Sequence, residues 1–121
     1  MAVKKRIAHE FGQGTALRSG DYTRAAVRAV KDALWHNSLN LTQAFGVEKE
    51  AMIIDVEIGV QVPEQVDTAA VAACFPYGQV QVSARKGGLD VPKPDGSGST
   101  LIAVAAIVVS FMVDPAREAA A

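Results

Sequence analysis

The sequence predicts an α+β domain of order β-α-β-α-β-β, a mixed four-stranded sheet with helices on one face. Three observations carry that expectation. Met52 to Val62 and Gln79 to Arg85 alternate apolar and polar residues with the period of a half-buried strand. Tyr22, Ala26, Ala29, Val30, Ala33 and Leu34 recur with the period of a helix. Leu101 to Val113 is apolar at almost every position and β-branched, so it reads as a strand buried on both faces.

Taken in order, the first strand is expected from Ala2 to about Glu10, with Val3, Ile7 and Phe11 sharing a face with Lys5 and His9. Asp21 is placed to cap the first helix, and Arg24, Arg28, Lys31 and Asp32 form its polar side, with Arg28 and Asp32 at the spacing of an i,i+4 pair. Trp35 to Asn40 ends this helix, including His36 as a partner for its C-terminal dipole, and Leu41 to Phe45 adds one turn before Gly46. In the second strand, Ile54, Val56, Ile58, Val60 and Val62 face the core until Pro63 stops it. Asp67 caps a short helix from Thr68 to Phe75, which Pro76-Tyr77-Gly78 terminates. The third strand turns Val80, Val82 and Ala84 inward, and Lys86 to Ser99 is too rich in Gly and Pro to be regular. Residues 1–113 thus form one domain, and 114–121 a flexible tail.

Composition narrows the function classes. With 121 residues, half of them apolar, the chain builds one domain with a real core. Twelve basic residues balance 13 acidic ones, which argues against a general nucleic-acid or membrane-surface binder; Lys4-Lys5-Arg6 reads as a solvated strand start. A lone cysteine, Cys74, excludes an intrachain disulfide and sits in an apolar run as a core residue. That usage and the lack of a leader-like N-terminus point to the cytoplasm. Leu101 to Val113, about 13 residues, is shorter than the roughly 20 of a spanning helix. Its second apolar face instead calls for another subunit, so a homo-oligomer is expected.

Chemistry concentrates between the first strand and the first helix. His9-Glu10-Phe11-Gly12-Gln13-Gly14-Thr15 is followed by Gly20-Asp21-Tyr22-Thr23-Arg24. A Gly-x-Gly turn brings backbone close to a ligand, and a capped helix just beyond it directs free N–H groups to the same space. Leu17 occupies the third glycine position of a dinucleotide fingerprint, no Walker A sequence is present, and His9 and His36 lack further ligands for zinc, so no cofactor or metal is expected. The candidate catalytic residues are His9, Glu10 and Asp21; Gly12, Gly14, Thr15, Arg18, Arg24 and Lys86 are the candidates for holding a small polar or anionic ligand.

From about Arg6 to Val113 the chain resembles a family of short hypothetical proteins of Firmicutes, cyanobacteria and plants, whose signature reads Gly-x-Gly-x-Asp-x-His-Gly. The similarity lies in His9 to Gly14, Asp21 to Ala33, Val62-Pro63 with Val66-Asp67, and Pro76-Tyr77-Gly78. Gly12 and Gly14 match the signature, whereas Ala16, Arg18 and Ser19 stand where the family has Asp, His and Gly. A more distant likeness is to one repeat of the ring-opening amidohydrolases, the cyanuric acid hydrolase and barbiturase group, whose Lys-Thr-Glu-Gly-x-Gly and Asp-Phe-Thr-Arg look like His9 to Gly14 and Asp21 to Arg24. Here His9 falls at the lysine. This second resemblance implies a single repeat of a threefold barrel, hence a trimer, and possible hydrolysis of a cyclic amide. Two readings follow: an oligomer with a small polar ligand near Gly12 and Gly14, or a noncatalytic structural or partner-binding module whose signature residues have changed.

Overall fold

The computed structural model describes residues 2–35 and 49–114. Along them run β1 (Val3–Ala16), α1 (Tyr22–Trp35), β2 (Ile53–Val60), α2 (Thr68–Ala72), β3 (Gln79–Lys86), β4 (Leu89–Pro92) and β5 (Ser99–Val113), with one-turn 3-10 helices at Lys49–Ala51 and Pro63–Gln65. The last strand organises the sheet. β5 lies between β1 and β2 and is antiparallel to both, while β3 runs parallel to β2 on its outer side. The two helices cover one side of this mixed sheet, as expected of the α+β class.

Alternation along β5 decides where the core sits. Leu101, Ala103, Ala105, Ile107, Val109 and Phe111 are buried toward the helices, where they meet Ile54, Val56, Ile58 and Val60 of β2 and Ala25, Ala26, Ala29, Val30 and Ala33 of α1. Apart from Ala25, these are residues whose period announces strand and helix in the sequence. Asp21 Oδ1 accepts from Arg24 N at 3.2 Å, and Asp67 Oδ1 accepts from Ala69 N and Ala70 N at 3.1 and 3.2 Å, so each aspartate satisfies N–H groups that a helix start leaves open. α2 is shorter than expected, with Ala73 and Cys74 in turns after it.

Three expectations need correction. The first strand continues past Glu10 to Ala16, so Gly12-Gln13-Gly14 is strand interior and not a turn. A register shift between Arg6 and Ala8 exchanges faces within β1, which sets Lys4 and Arg6, not Lys5, on the side of His9 and Phe11. The segment after Lys86 holds a fifth strand, because β4 pairs with Ser99 to Ile102. Gly88 permits this crossover with φ +61, and a Cβ there would overlap the carbonyl of Ile102. Besides their i,i+4 spacing, Arg28 and Asp32 both reach β1: Arg28 Nη1 donates to Thr15 O at 2.7 Å, and Asp32 Oδ2 accepts from Gln13 N at 2.9 Å. α1 thus covers peptide groups on the outer edge of β1 that would otherwise invite another strand.

The end of the first helix at 36–40 with His36, the turn at 41–45 and the tail at 115–121 lie outside the described residues. Among those described, no helix is long and apolar enough to cross a membrane.

Candidate functional site

The glycines settle the geometry of the predicted site. Gly12 and Gly14 are two residues apart in a strand and therefore share a face, opposite Ala105 and Ala103 of β5. A Cβ at Gly12 would overlap the backbone of Ala29 and Ala33, and one at Gly14 that of Ala25, Arg28 and Ala29. Ala25, Ala29 and Ala33 recur every fourth residue, so a small-residue stripe on α1 lies against a small-residue stripe on β1. The close approach that Gly-x-Gly permits is made by a helix of the same chain.

Around this contact the candidate residues separate. Glu10 is half-buried on the helix-covered face, opposite Ile107. His9 is exposed on the other face, opposite Val108, with its ring edge-on to Phe11 at 6.5 Å between centroids. Thr15 is exposed on that open face as well, opposite Ile102, while its carbonyl binds Arg28. Asp21 lies beyond the far end of β1, and at about 3.3 Å of rise per residue His9 stands roughly 23 Å from the strand's last residue. Within one chain His9, Glu10 and Asp21 do not converge.

Two places gather polar groups instead. The first is the β1–α1 cleft, about 260 Å3 and lined by Leu17, Arg18, Asp21, Arg24 and Arg28. Asp21 lies 3.3 Å from Arg24 Nε as well as capping α1. Neighbouring contacts hold the loop. Ser19 Oγ donates to Ser99 O at 3.2 Å and accepts from Ser99 N at 2.7 Å, and Lys93 Nζ donates to Leu17 O at 2.6 Å. Beside it Tyr22, buried, donates its hydroxyl to Asp90 Oδ2. That bond to Asp90, reinforced by burial and by the charges of Asp90 and Glu64, pushes the Tyr22 phenol up to about 12.

The second is the open face of the sheet. Phe11, Val104 and Met112 are 68, 44 and 52 % exposed there. Across β2 and β3 the same face turns polar, with Asp55, Glu57, Gln81, Ser83 and Arg85. Lys4 Nζ spans β5 to reach Asp55 Oδ2 at 2.8 Å, and Arg85 pairs with Glu57. A depression of about 520 Å3 runs between them, lined in part by Lys4, Arg6, Asp55, Ser83 and Ser110. Ser110 is buried, and its hydroxyl has no hydrogen-bond partner among the described residues. Lys86, at the end of β3, lines a neighbouring depression with Phe11, Gly59 and Val104.

Arg28, Leu17, Lys4, Arg6 and Ser110 are not among the site candidates that the sequence offers. For Arg28 a signal existed, since Arg24 and Arg28 are one helical turn apart on a face that Arg18 can approach. For Ser110 one existed too, as the lone polar residue of Leu101 to Val113, whereas for Lys4 and Arg6 none did, because their sharing a face with His9 depends on the shifted register of β1.

Comparison with known proteins agrees with the fold. Among solved structures, an FtsZ-like protein of unknown function from Nostoc punctiforme is 32 % identical, with a TM-score of 0.83 over 93 % of this chain and 100 % of that one. No curated protein matches significantly. The profile of a conserved hypothetical protein family, Lin0512_fam, matches residues 6–109, nearly the whole described domain, and the chain belongs to that family.

Proposed function

We infer that the chain is a noncatalytic, self-assembling module whose copies turn the open faces of their sheets toward one another. The exposed apolar band of Phe11, Val104 and Met112 carries this reading. Four strands about 4.8 Å apart and some 26 Å long present a face on the order of 500 Å2, so three such faces closed around one axis cover on the order of 1,500 Å2 in all, within the range of a specific interface. Charge permits the contact. Lys4 with Asp55 and Arg85 with Glu57 are already neutralised in pairs, which spares a covering copy the cost of stranding them alone. Three copies is the stoichiometry that the amidohydrolase resemblance implies. Light scattering on the purified chain tests the reading: a trimer is expected, Val104→Asp gives a folded monomer, and a wild-type monomer at high concentration sinks it.

One observation favours a second reading, a hydrolase of cyclic amides with its ligand between subunits. The polar depression holding Ser110 lies on the same open face, so assembly would enclose it. An absorbance assay of ring opening with cyanuric acid and barbituric acid decides; turnover that Ser110→Ala abolishes supports the hydrolase, and no turnover leaves the module.

A further inference from the structure

The β1–α1 cleft carries a charge excess that the residues lining it neutralise only in part. Arg18, Arg24 and Arg28 face Asp21, the only carboxylate among the residues lining it. Both oxygens of Asp21 are engaged by Arg24, one by its N–H and one by its guanidinium. Three guanidiniums less one carboxylate leave two positive charges. Arg24 and Arg28, one helical turn apart, raise each other's energy unless an anion joins them. A guanidinium has five N–H donors, and Arg28 spends one nitrogen on Thr15 O, so it remains able to donate into the cleft. That bond also fixes its position, as the Ser19 and Lys93 contacts fix the loop that bears Arg18. The start of α1 adds its partial positive charge on the same side.

We propose that this cleft binds the phosphate group of a phosphate monoester whose organic part lies on Leu17. Charge selects phosphate. A monoester dianion brings close to two negative charges and three terminal oxygens to three guanidinium forks, whereas a carboxylate brings one charge and two oxygens. Leu17, 69 % exposed beside the guanidiniums, supplies an apolar shelf that inorganic phosphate would not use. The cleft stands apart from the open sheet face, so this proposal does not depend on self-assembly.

Calorimetric titration of the full chain with phenyl phosphate, inorganic phosphate and benzoate at low ionic strength tests it. Phenyl phosphate is expected to bind saturably at one site per chain, several-fold tighter than inorganic phosphate and at least about tenfold tighter than benzoate. Arg18→Ala weakens binding about tenfold or more with an unchanged thermal midpoint, and Arg18→Lys restores part of it, because an ammonium keeps the charge and loses the fork. Arg24→Ala repeats the loss should the first variant fold poorly. Absence of saturable binding, or affinity that survives both substitutions, overturns the proposal; equal affinity for inorganic phosphate removes Leu17 and the organic group from it.

Discussion

The two faces of the sheet share one strand and differ in what covers them. Along β5 the odd-numbered residues from Leu101 to Phe111 meet helices and β2 and are buried, while Val104 and Met112 on the even side are open. Hydrophobicity alone does not separate them, since both rows are apolar. What separates them is the opposite surface. On the covered side, glycines and alanines let α1 come so near β1 that no room for a side chain is left between the backbones. On the open side Phe11 of β1 and Val104 and Met112 of β5 stay exposed among the described residues. One face is closed by a helix, and the other is the face that the proposed assembly would use.

Adjacent residues on opposite faces give the largest test. Phe111→Ala should cost about 3–5 kcal/mol of folding free energy in urea denaturation, the range for emptying an aromatic site in a core, and Met112→Ala under about 1 kcal/mol in the monomer. Similar values for the two would erase the distinction between faces. Gly14→Ala presses a methyl into the α1 backbone and should cost about 3 kcal/mol, the upper range for overpacking, against about 0.5 kcal/mol or less for Thr15→Ala next to it. A well-folded Gly14→Ala chain of wild-type stability would show that α1 can retreat.

Smaller effects concern polar contacts on either side. Tyr22→Phe leaves Asp90 without its donor and should cost about 1–3 kcal/mol. Its pH dependence has a definite sign. The phenol moves from 10.0 to about 12 on folding, so the contact contributes fully below pH 10 and loses its contribution as the pH rises through 12. Alkaline titration of stability should therefore fall more steeply for the wild type than for Tyr22→Phe in that window, and parallel curves would remove the Asp90 bond as the cause. Asp67→Ala, which uncaps α2, should lower stability by about 1 kcal/mol. The smallest change is expected from Lys4→Ala on the open face, about 0.5 kcal/mol or less in the monomer, since its ion pair with Asp55 is half exposed.

These contrasts also mark what the sequence could disclose. α1 with its cap, the alternating β2, and β5 with two apolar faces are legible because each repeats a period over many residues. β4 is not, since four residues ending in Pro92 among glycines carry no period of their own. Gly12 and Gly14 mislead for a different reason: the residue that frees a backbone to turn is also the residue that lets a straight strand lie close to a helix. The second use was visible in principle, because glycines two apart match a strand and alanines four apart match a helix. Which residues share a face with His9 was not, because one shifted register step near Ile7 reassigns Lys4 and Arg6. The arginine cleft depends on the loop from Leu17 to Gly20, whose path is set by contacts with Lys93 and Ser99, residues far along the chain.

The pairing of β1 with β5 has a bearing on how the chain reaches this state. Val3 lies opposite Val113, and among the described strands β5 is the partner of β1. The ladder between β1 and β5 therefore closes long loops, from Ala16 with Leu101 out to Val3 with Val113, a topology that folds slowly because entropy is lost before contacts compensate it. During synthesis the first strand emerges early and waits for the last. α1 follows β1 closely in sequence and covers both its glycines and its edge groups, so the contacts within reach of β1 before β5 exists are those with α1.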